Sequence, residues 1–174
     1  GSRGDSYPWT EYLGVAKGLG MLYNLKVASR GGWNSYTQSC DPSITGVIIE
    51  DVYQALDWVV QYGPSVMILN YSYGSEMEVD DDSETRRFDY FAATYSLIIT
   101  KSAGNAGPSA MTVTSPGNAY NLITVANVDG RGTVNRSDDI INETSSRGPT
   151  LGGRRKPDIA APGTNIWSAA HDWD

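Results

Sequence analysis

Short apolar runs alternate along this chain with stretches of helical periodicity, and this alternation limits the folds that it can adopt. The run at 65–69 has the length and type of a strand that is buried in a parallel sheet, and 97–101 is predicted as the next strand. Residues 47–62 and 83–95 carry apolar side chains every three or four positions, as helices with one buried face do. Because strands that alternate with helices are joined by right-handed crossovers, the sequence predicts a three-layer α/β fold with a mostly parallel sheet flanked by helices.

The remaining predicted elements complete this pattern. They are strands at 21–27 and 122–128, a polar turn region at 29–43, a helical turn at 115–116, a loop over 129–156 and a turn at 162–163. Asp82 or Ser83 would cap the second helix. Ligands of such sheets bind at the carboxyl ends of the strands, so we expect a site at 70–75 and 102–107.

Charge, cysteine content and histidine content each exclude a class of function. With 20 acidic and 13 basic residues the net charge is -7, which argues against a protein that binds nucleic-acid phosphates. No apolar run reaches the roughly 20 residues of a membrane span. Cys40 is the only cysteine, which excludes an internal disulfide framework and a multi-cysteine zinc site. His171 is the only histidine, so a mechanism with a histidine base has one candidate.

Both predicted strand ends carry small residues and glycine. The first continues as Ser72-Tyr73-Gly74 and the second as Ser102-Ala103-Gly104-Asn105. Such tips let the backbone of a ligand approach closely. Asn105 could direct its amide into a cleft, where it would stabilise an oxyanion. The alternative is an ordinary turn in which this asparagine adopts a left-handed conformation.

Five motifs in a consistent order resemble the middle of the subtilisin-like serine proteases, the subtilases. They are SAGNAGP at 102–108, SPGNA at 115–119, SSRGPT at 145–150, KPDI at 156–159 and APG at 161–163. The resemblance extends from about Gly14 to the C-terminus. It divides the chain into an N-terminal lead-in at 1–13, which could include residues added to the natural sequence, and a partial subtilase catalytic domain at 14–174.

This resemblance implies roles for residues at both strand ends. Asn105 would be the oxyanion-hole asparagine. Ser72, Tyr73 and Gly74 would pair with an extended peptide substrate, and Ser102, Ala103 and Gly104 would form a wall of the pocket for the residue before the cleaved bond. The family commonly binds calcium, but no set of metal ligands carries over, and we expect no cofactor. The acidic segment 80–82 is expected to be a solvated loop.

The chain departs from the family at the catalytic triad, which subtilases order as Asp, His and Ser along the sequence. The Asp and His motifs precede the part matched by Gly14, and the nucleophile motif follows the part matched by Ile166. His171 matches no triad position. The resemblance therefore implies a fragment of a serine endopeptidase that hydrolyses peptide bonds in the whole protein. Alone it would be inactive, because nothing forms an acyl-enzyme or accepts the proton of a nucleophile.

Partners and location follow from the resemblance, and two other functions stay open. We expect a peptide or protein substrate, no nucleic acid, no membrane, an extracellular or exported location, and a homodimer through sheet edges as one way to pair open strands.

One alternative is a non-catalytic peptide-binding or interaction domain, a pseudoprotease. The other is an α/β-hydrolase-type esterase in which Ser72 is the nucleophile and Asp158 and His171 complete the triad.

Overall fold

The computed structural model describes residues 22–25, 27–34, 39–47, 49–63, 66–74 and 80–166. The chain divides into two compact units, of which the second comprises Leu56–Ile166. In the first unit, β1 (Ala28–Asn34) and β2 (Ser39–Val47) form an antiparallel hairpin. Helix α1 (Ile49–Tyr62) begins in the first unit and ends in the second.

The hairpin differs from the predictions for this part of the chain. The predicted strand at 21–27 is wrong where it can be seen, since residues 22–25 and 27 have no regular structure. The predicted turn region at 29–43 is instead largely strand. Its polar and glycine residues do not prevent pairing, because a ladder relies on main-chain hydrogen bonds and a register shift between Arg30 and Gly32 accommodates the irregular segment.

The second unit contains a mostly parallel sheet of five strands, as predicted. Its strands are β3 (Ile68–Tyr71), β4 (Ile98–Ser102), β5 (Ile123–Asp129), β6 (Ile140–Ile141) and β7 (Ile159–Pro162). The pairs β3–β4, β4–β5 and β5–β7 are parallel, and β6 runs antiparallel against the end of β5. The strands predicted for this unit, at 65–69, 97–101 and 122–128, begin within three residues of β3, β4 and β5.

Helix α2 (Ser83–Tyr95) has the predicted bounds and one of the predicted caps. The carboxylate of Asp82 accepts a hydrogen bond from the Thr85 amide at 2.7 Å, and Ser96 ends the helix in a left-handed conformation. The predicted helical turn at 115–116 is a hydrogen-bonded turn, not a helix, in which the Ala119 amide donates to Pro116 O at 3.0 Å. The predicted loop over 129–156 contains β6 and a short 3₁₀ helix, Arg136–Asp138.

The core of the second unit lies between one face of the sheet and α2. Phe88 and Phe91 of α2 are buried, and the ring of Phe88 lies 4.7 Å from that of Tyr71 on β3. The hydroxyl of Thr85 bonds Ser115 at 3.1 Å and Asn118 at 2.9 Å, which joins the start of α2 to the turn after β4. Among the described residues, no helix is long and apolar enough to cross a bilayer.

The opposite face of the sheet presents a row of isoleucines. Ile68 pairs with Ile98, and Ile123 and Ile159 lie on the same face of the neighbouring strands β5 and β7. All four side chains are exposed, whereas Ile99 and Thr124 on the other face are completely buried. Within the second unit, the described residues therefore cover one face of the sheet and leave the other open, so the third layer of the predicted fold is not among them.

Candidate functional site

The carboxyl ends of β3 and β4 emerge together from one edge of the sheet. The strands are parallel, and Tyr71 pairs with Lys101 at the last rung of their ladder. The segments at these strand ends, 72–74 and 102–105, therefore lie side by side. The structure thus brings the two predicted parts of the site to the same edge, where parallel sheets place their ligands.

Asn105 is exposed at the tip that follows β4. Ser146, which is buried, holds the main chain on both sides of it: the Ser146 amide donates to Gly104 O at 3.0 Å, and the Ser146 hydroxyl accepts from the Ala106 amide at 3.1 Å. The next amide, Gly107 N, donates to Thr144 O at 3.0 Å. Asn105 is thus an exposed residue on a main chain that is fixed at both flanks.

The tip that follows β3 is open. Ser72 and Tyr73 are exposed and Gly74 is half-buried. The Ser72 hydroxyl accepts a hydrogen bond from the side chain of Asn70 at 3.0 Å. Within the described ranges, the main-chain groups of 72–74 form no hydrogen bond with other main-chain groups. Such groups can still accept an added extended strand.

The segment Ser102-Ala103-Gly104 is held in place by contacts with β5 and with Ser146. Ala103 is buried, and its amide donates to Val125 O on β5 at 2.9 Å. Gly104 has a φ of +107°, and a β-carbon built on it would lie 2.7 Å from Ser146 Oγ. Both the positive φ and the lack of space therefore favour glycine at this position.

A buried lysine lies directly beneath the two tips. Lys101 is 3% exposed, and its ammonium donates to Ser102 O at 2.6 Å and to Ser102 Oγ at 2.9 Å. Burial lowers the pKa of Lys101 to about 8, against the opposing effect of the Glu84 carboxylate. Burial also raises the pKa of Glu84, against a hydrogen bond from the Tyr71 hydroxyl at 3.2 Å.

The side chains of the acidic segment 80–82 are engaged in two ion pairs and a helix cap. Asp80 bonds Arg154 at 3.1 Å, Asp81 bonds Arg86 at 3.2 Å, and Asp82 caps α2. Partial burial raises the pKa of Asp80, but hydrogen bonds from Thr150, Gly152 and Arg154 outweigh it, so the pKa is lowered overall. Asp81 is exposed as expected, whereas Asp80 and Asp82 are half-buried. Across the described residues, no group of three or more His, Cys, Asp or Glu side chains could hold a metal ion.

The residues of the esterase alternative do not come together. Ser72 follows the carboxyl end of β3, whereas Asp158 precedes the amino end of β7, and these strands run in the same direction. The Asp158 carboxylate instead accepts from the Thr124 amide at 2.7 Å and from Lys156 at 2.6 Å. His171 lies outside the described residues. The esterase prediction is therefore wrong, because Ser72 and Asp158 occupy opposite ends of the sheet.

Ser146 and Lys101 contact the main chain of the tip, although neither is a site residue predicted from the sequence. Ser146 belongs to the SSRGPT motif, to which the family resemblance attaches no function. A lysine within a predicted strand is the signal that could have identified Lys101, since such a residue is almost never buried unless it has partners.

Known proteins resemble this chain in sequence and in fold. The model of the subtilase family, peptidase S8, matches residues 10–173. Serine protease AprX of Bacillus subtilis is 34% identical over 128 residues, which cover 69% of this chain and 29% of AprX. Pyrolysin of Pyrococcus furiosus is 27% identical over 99% of this chain and 14% of its own length. Sphericase has a similar structure, with a TM-score of 0.57 at 24% identity over 72% of this chain and 42% of sphericase.

The chain spans less than a third of the length of either curated relative. The likeness to sphericase confirms the predicted fold, a part of a subtilisin-like α/β structure. Because the family model matches nearly the whole sequence, the predicted resemblance is confirmed, and the chain belongs to the subtilase family of serine proteases.

Proposed function

We propose that this chain, from residue 14 to 174, is the central part of the catalytic domain of an exported serine endopeptidase. In that domain it supplies the oxyanion donor and the substrate-binding strand. The observation that carries the proposal is the exposed residue Asn105, which lies on a fixed main chain at the same sheet edge as the open segment 72–74.

The chemistry of peptide hydrolysis explains why these features belong together. An extended peptide would add to the open main chain of 72–74, which orients its scissile carbonyl. Ser102, Ala103 and Gly104 would form one wall of the pocket for the preceding side chain. As the carbonyl oxygen becomes negatively charged, the Asn105 side-chain amide would donate a hydrogen bond to it from a main chain that is held on both sides.

The nucleophile and its base would come from other parts of the whole protein. This sequence contains no match to the Asp, His or Ser motifs of the family, and without a serine and a histidine no acyl-enzyme forms. The limited share of AprX that the chain covers supports this division. We therefore expect no proteolysis by the chain alone.

A substitution of Asn105 in the whole protein tests the proposal. Asn105→Ala should lower kcat by about 10²–10³, the magnitude known for the same kind of donor in a subtilisin, itself a member of this family, with little change in KM. Asn121→Ala, at another exposed asparagine, is the matched control and should keep the wild-type kcat. An unchanged kcat in Asn105→Ala would contradict the oxyanion role.

A covalent probe tests whether the catalytic serine lies outside this chain. A fluorophosphonate should label the whole protein but not the 174-residue chain. Stoichiometric labelling of the chain would overturn the statement that it lacks the nucleophile. A whole protein that binds peptides at this edge without cleaving or labelling would instead be a pseudoprotease.

A further inference from the structure

We infer that Lys101 is a positioning residue that fixes the two strand tips relative to each other and thereby places Asn105. The inference rests on the function proposed above, because it assigns to Lys101 a part in the same site. Lys101 does not reach the exposed tip itself. It acts through the main chain of Ser102 and through the space beside Gly74.

The contacts of Lys101 begin with the tip that follows β4. Its ammonium donates to both oxygens of Ser102, at 2.6 Å to the carbonyl and 2.9 Å to the hydroxyl. Ser102 is the first residue of the proposed pocket wall and lies three positions before Asn105. Hydrogen bonds from an ammonium to uncharged oxygens are stronger than those between neutral groups, so this contact restrains the start of the tip.

The same ammonium lies against the tip that follows β3. A β-carbon built on Gly74 would be 3.2 Å from Lys101 Nζ and 2.9 Å from Ser115 O. Glycine at this position therefore leaves the space that the lysine occupies. The Lys101 side chain thus lies between the proposed substrate strand and the proposed pocket wall, and its position sets the spacing between them.

The charged and titratable groups around Lys101 make this contact sensitive to pH. The Glu84 carboxyl from α2 faces the ammonium, the Tyr71 hydroxyl from β3 bonds Glu84 at 3.2 Å, and Asp82 at the start of α2 adds a further negative charge near Glu84. Loss of the proton from Lys101 removes the charge from its bonds to Ser102 and weakens them. Since burial lowers the pKa of Lys101 to about 8, this occurs in a range in which an ordinary lysine is still charged.

A second buried lysine provides a matched control. Lys156 is 8% exposed, and it donates to Leu122 O at 2.8 Å and to Asp158 at 2.6 Å. These partners precede β5 and β7, so Lys156 lies at the amino ends of the strands, away from the tips. Removal of either lysine disturbs a buried cation, but only Lys101 of the two contacts the proposed site.

The kinetic experiment uses the whole protein with Lys101→Met, Lys101→Arg and Lys156→Met. Lys101→Met should lower kcat roughly 10- to 100-fold, by more than it raises KM, because a small misplacement of a catalytic group has an effect of this size. The wild-type kcat should fall as pH rises through about 8, and Lys101→Arg should keep its kcat there because arginine stays charged. Folded Lys156→Met should keep the wild-type profile. A Lys101→Met protein with wild-type kcat and pH profile would overturn the inference.

A second measurement separates this inference from the proposed function. NMR of the 174-residue chain follows the Lys101 ε-carbon and the amides of Gly74 and Gly104 against pH. We expect all three to titrate together near pH 8 in the wild type and in Lys156→Met, and the two amides to be flat in Lys101→Arg. Amides that do not follow Lys101 would contradict the inference whatever the activity, whereas an inactive whole wild-type protein would contradict the proposed function alone.

Discussion

Ser146 forms hydrogen bonds with the main chain of the residues on either side of Asn105. The Ser146 amide donates to Gly104 O at 3.0 Å, and its hydroxyl accepts from the Ala106 amide at 3.1 Å. A buried residue in a distant loop thus defines the main chain around the asparagine of the strand tip. The geometry of the proposed oxyanion donor therefore depends on the SSRGPT motif as much as on the SAGNAGP motif that contains Asn105.

Ser146→Ala tests this dependence. The substitution removes the acceptor of the Ala106 amide, which should lower the free energy of unfolding by about 1 kcal/mol. Urea denaturation of the chain measures the change. Ser137→Ala, at an exposed serine of the 3₁₀ helix, serves as the control and should be near neutral. Equal stability of Ser146→Ala and the wild type would show that the hydrogen bond from the Ala106 amide to Ser146 does not stabilise the tip.

Gly104→Ala should also destabilise the tip that carries Asn105, because the added methyl group would be too close to Ser146. The residue has a φ of +107°, and the added methyl group would lie 2.7 Å from Ser146 Oγ. We expect a loss of about 1–3 kcal/mol in unfolding free energy. Gly132→Ala is the comparison, since Gly132 has a φ of 68°, which lies in the left-handed region, and no neighbouring atom lies within 4 Å of the added carbon. Gly104→Ala should therefore cost more than Gly132→Ala, both in backbone strain and in the clash with Ser146, and the reverse order would contradict this prediction.

Asp82→Ala should weaken the start of α2. Its carboxylate accepts from the Thr85 amide at 2.7 Å and from the Ser115 hydroxyl at 2.9 Å, so the substitution removes a helix cap and a tertiary bond together. The expected loss is about 1–2 kcal/mol by thermal or chemical denaturation. Asp81→Ala removes only an exposed pair with Arg86 and should change stability by less than about 0.5 kcal/mol. Similar effects of the two substitutions would show that the cap is unimportant.

Asp158→Asn should leave Lys156 without its counter-ion at the amino ends of β5 and β7. The bond between them is 2.6 Å long and the Lys156 side chain is buried, although the carboxylate is 37% exposed. Solvent screening reduces the effect, and we expect a loss of about 2 kcal/mol. The exposed pair of Asp57 and Arg87 provides the comparison, and Asp57→Asn should be close to neutral. The prediction fails if the two asparagine variants unfold at the same denaturant concentration.

Stability and activity should respond to Lys101 in opposite directions as pH rises. Below pH 8 the lysine is protonated in both the folded and the unfolded chain. Between about 8 and its usual 10.5 only the unfolded chain keeps the proton, so the unfolding free energy rises with pH. The contribution is about 2–3 kcal/mol from roughly pH 7 to pH 10. It is measured as the difference between wild type and Lys101→Met over this range, and a difference that stays constant or falls would refute it.

The features that the sequence predicted well are those with local causes. Helix α2 and its Asp82 cap follow from periodicity and from one side chain that bonds an amide three residues later. The two strand ends follow from short apolar runs that are terminated by glycine-bearing segments. In each case residues close in sequence determine the outcome.

The features that it missed depend on contacts between distant residues. The hairpin of β1 and β2 lacks an apolar alternation, and its strands exist because they pair with each other. Ser146 gained its contacts with the tip from the packing of the loops around it, which no local rule describes.

The open isoleucine face has a consequence for any work on the isolated chain. Ile68, Ile98, Ile123 and Ile159 each forgo up to roughly 1.5–3 kcal/mol of desolvation free energy while they remain in water. A dye such as ANS should therefore bind there, and detergents or osmolytes should change the behaviour of the chain more than that of a fully enclosed protein.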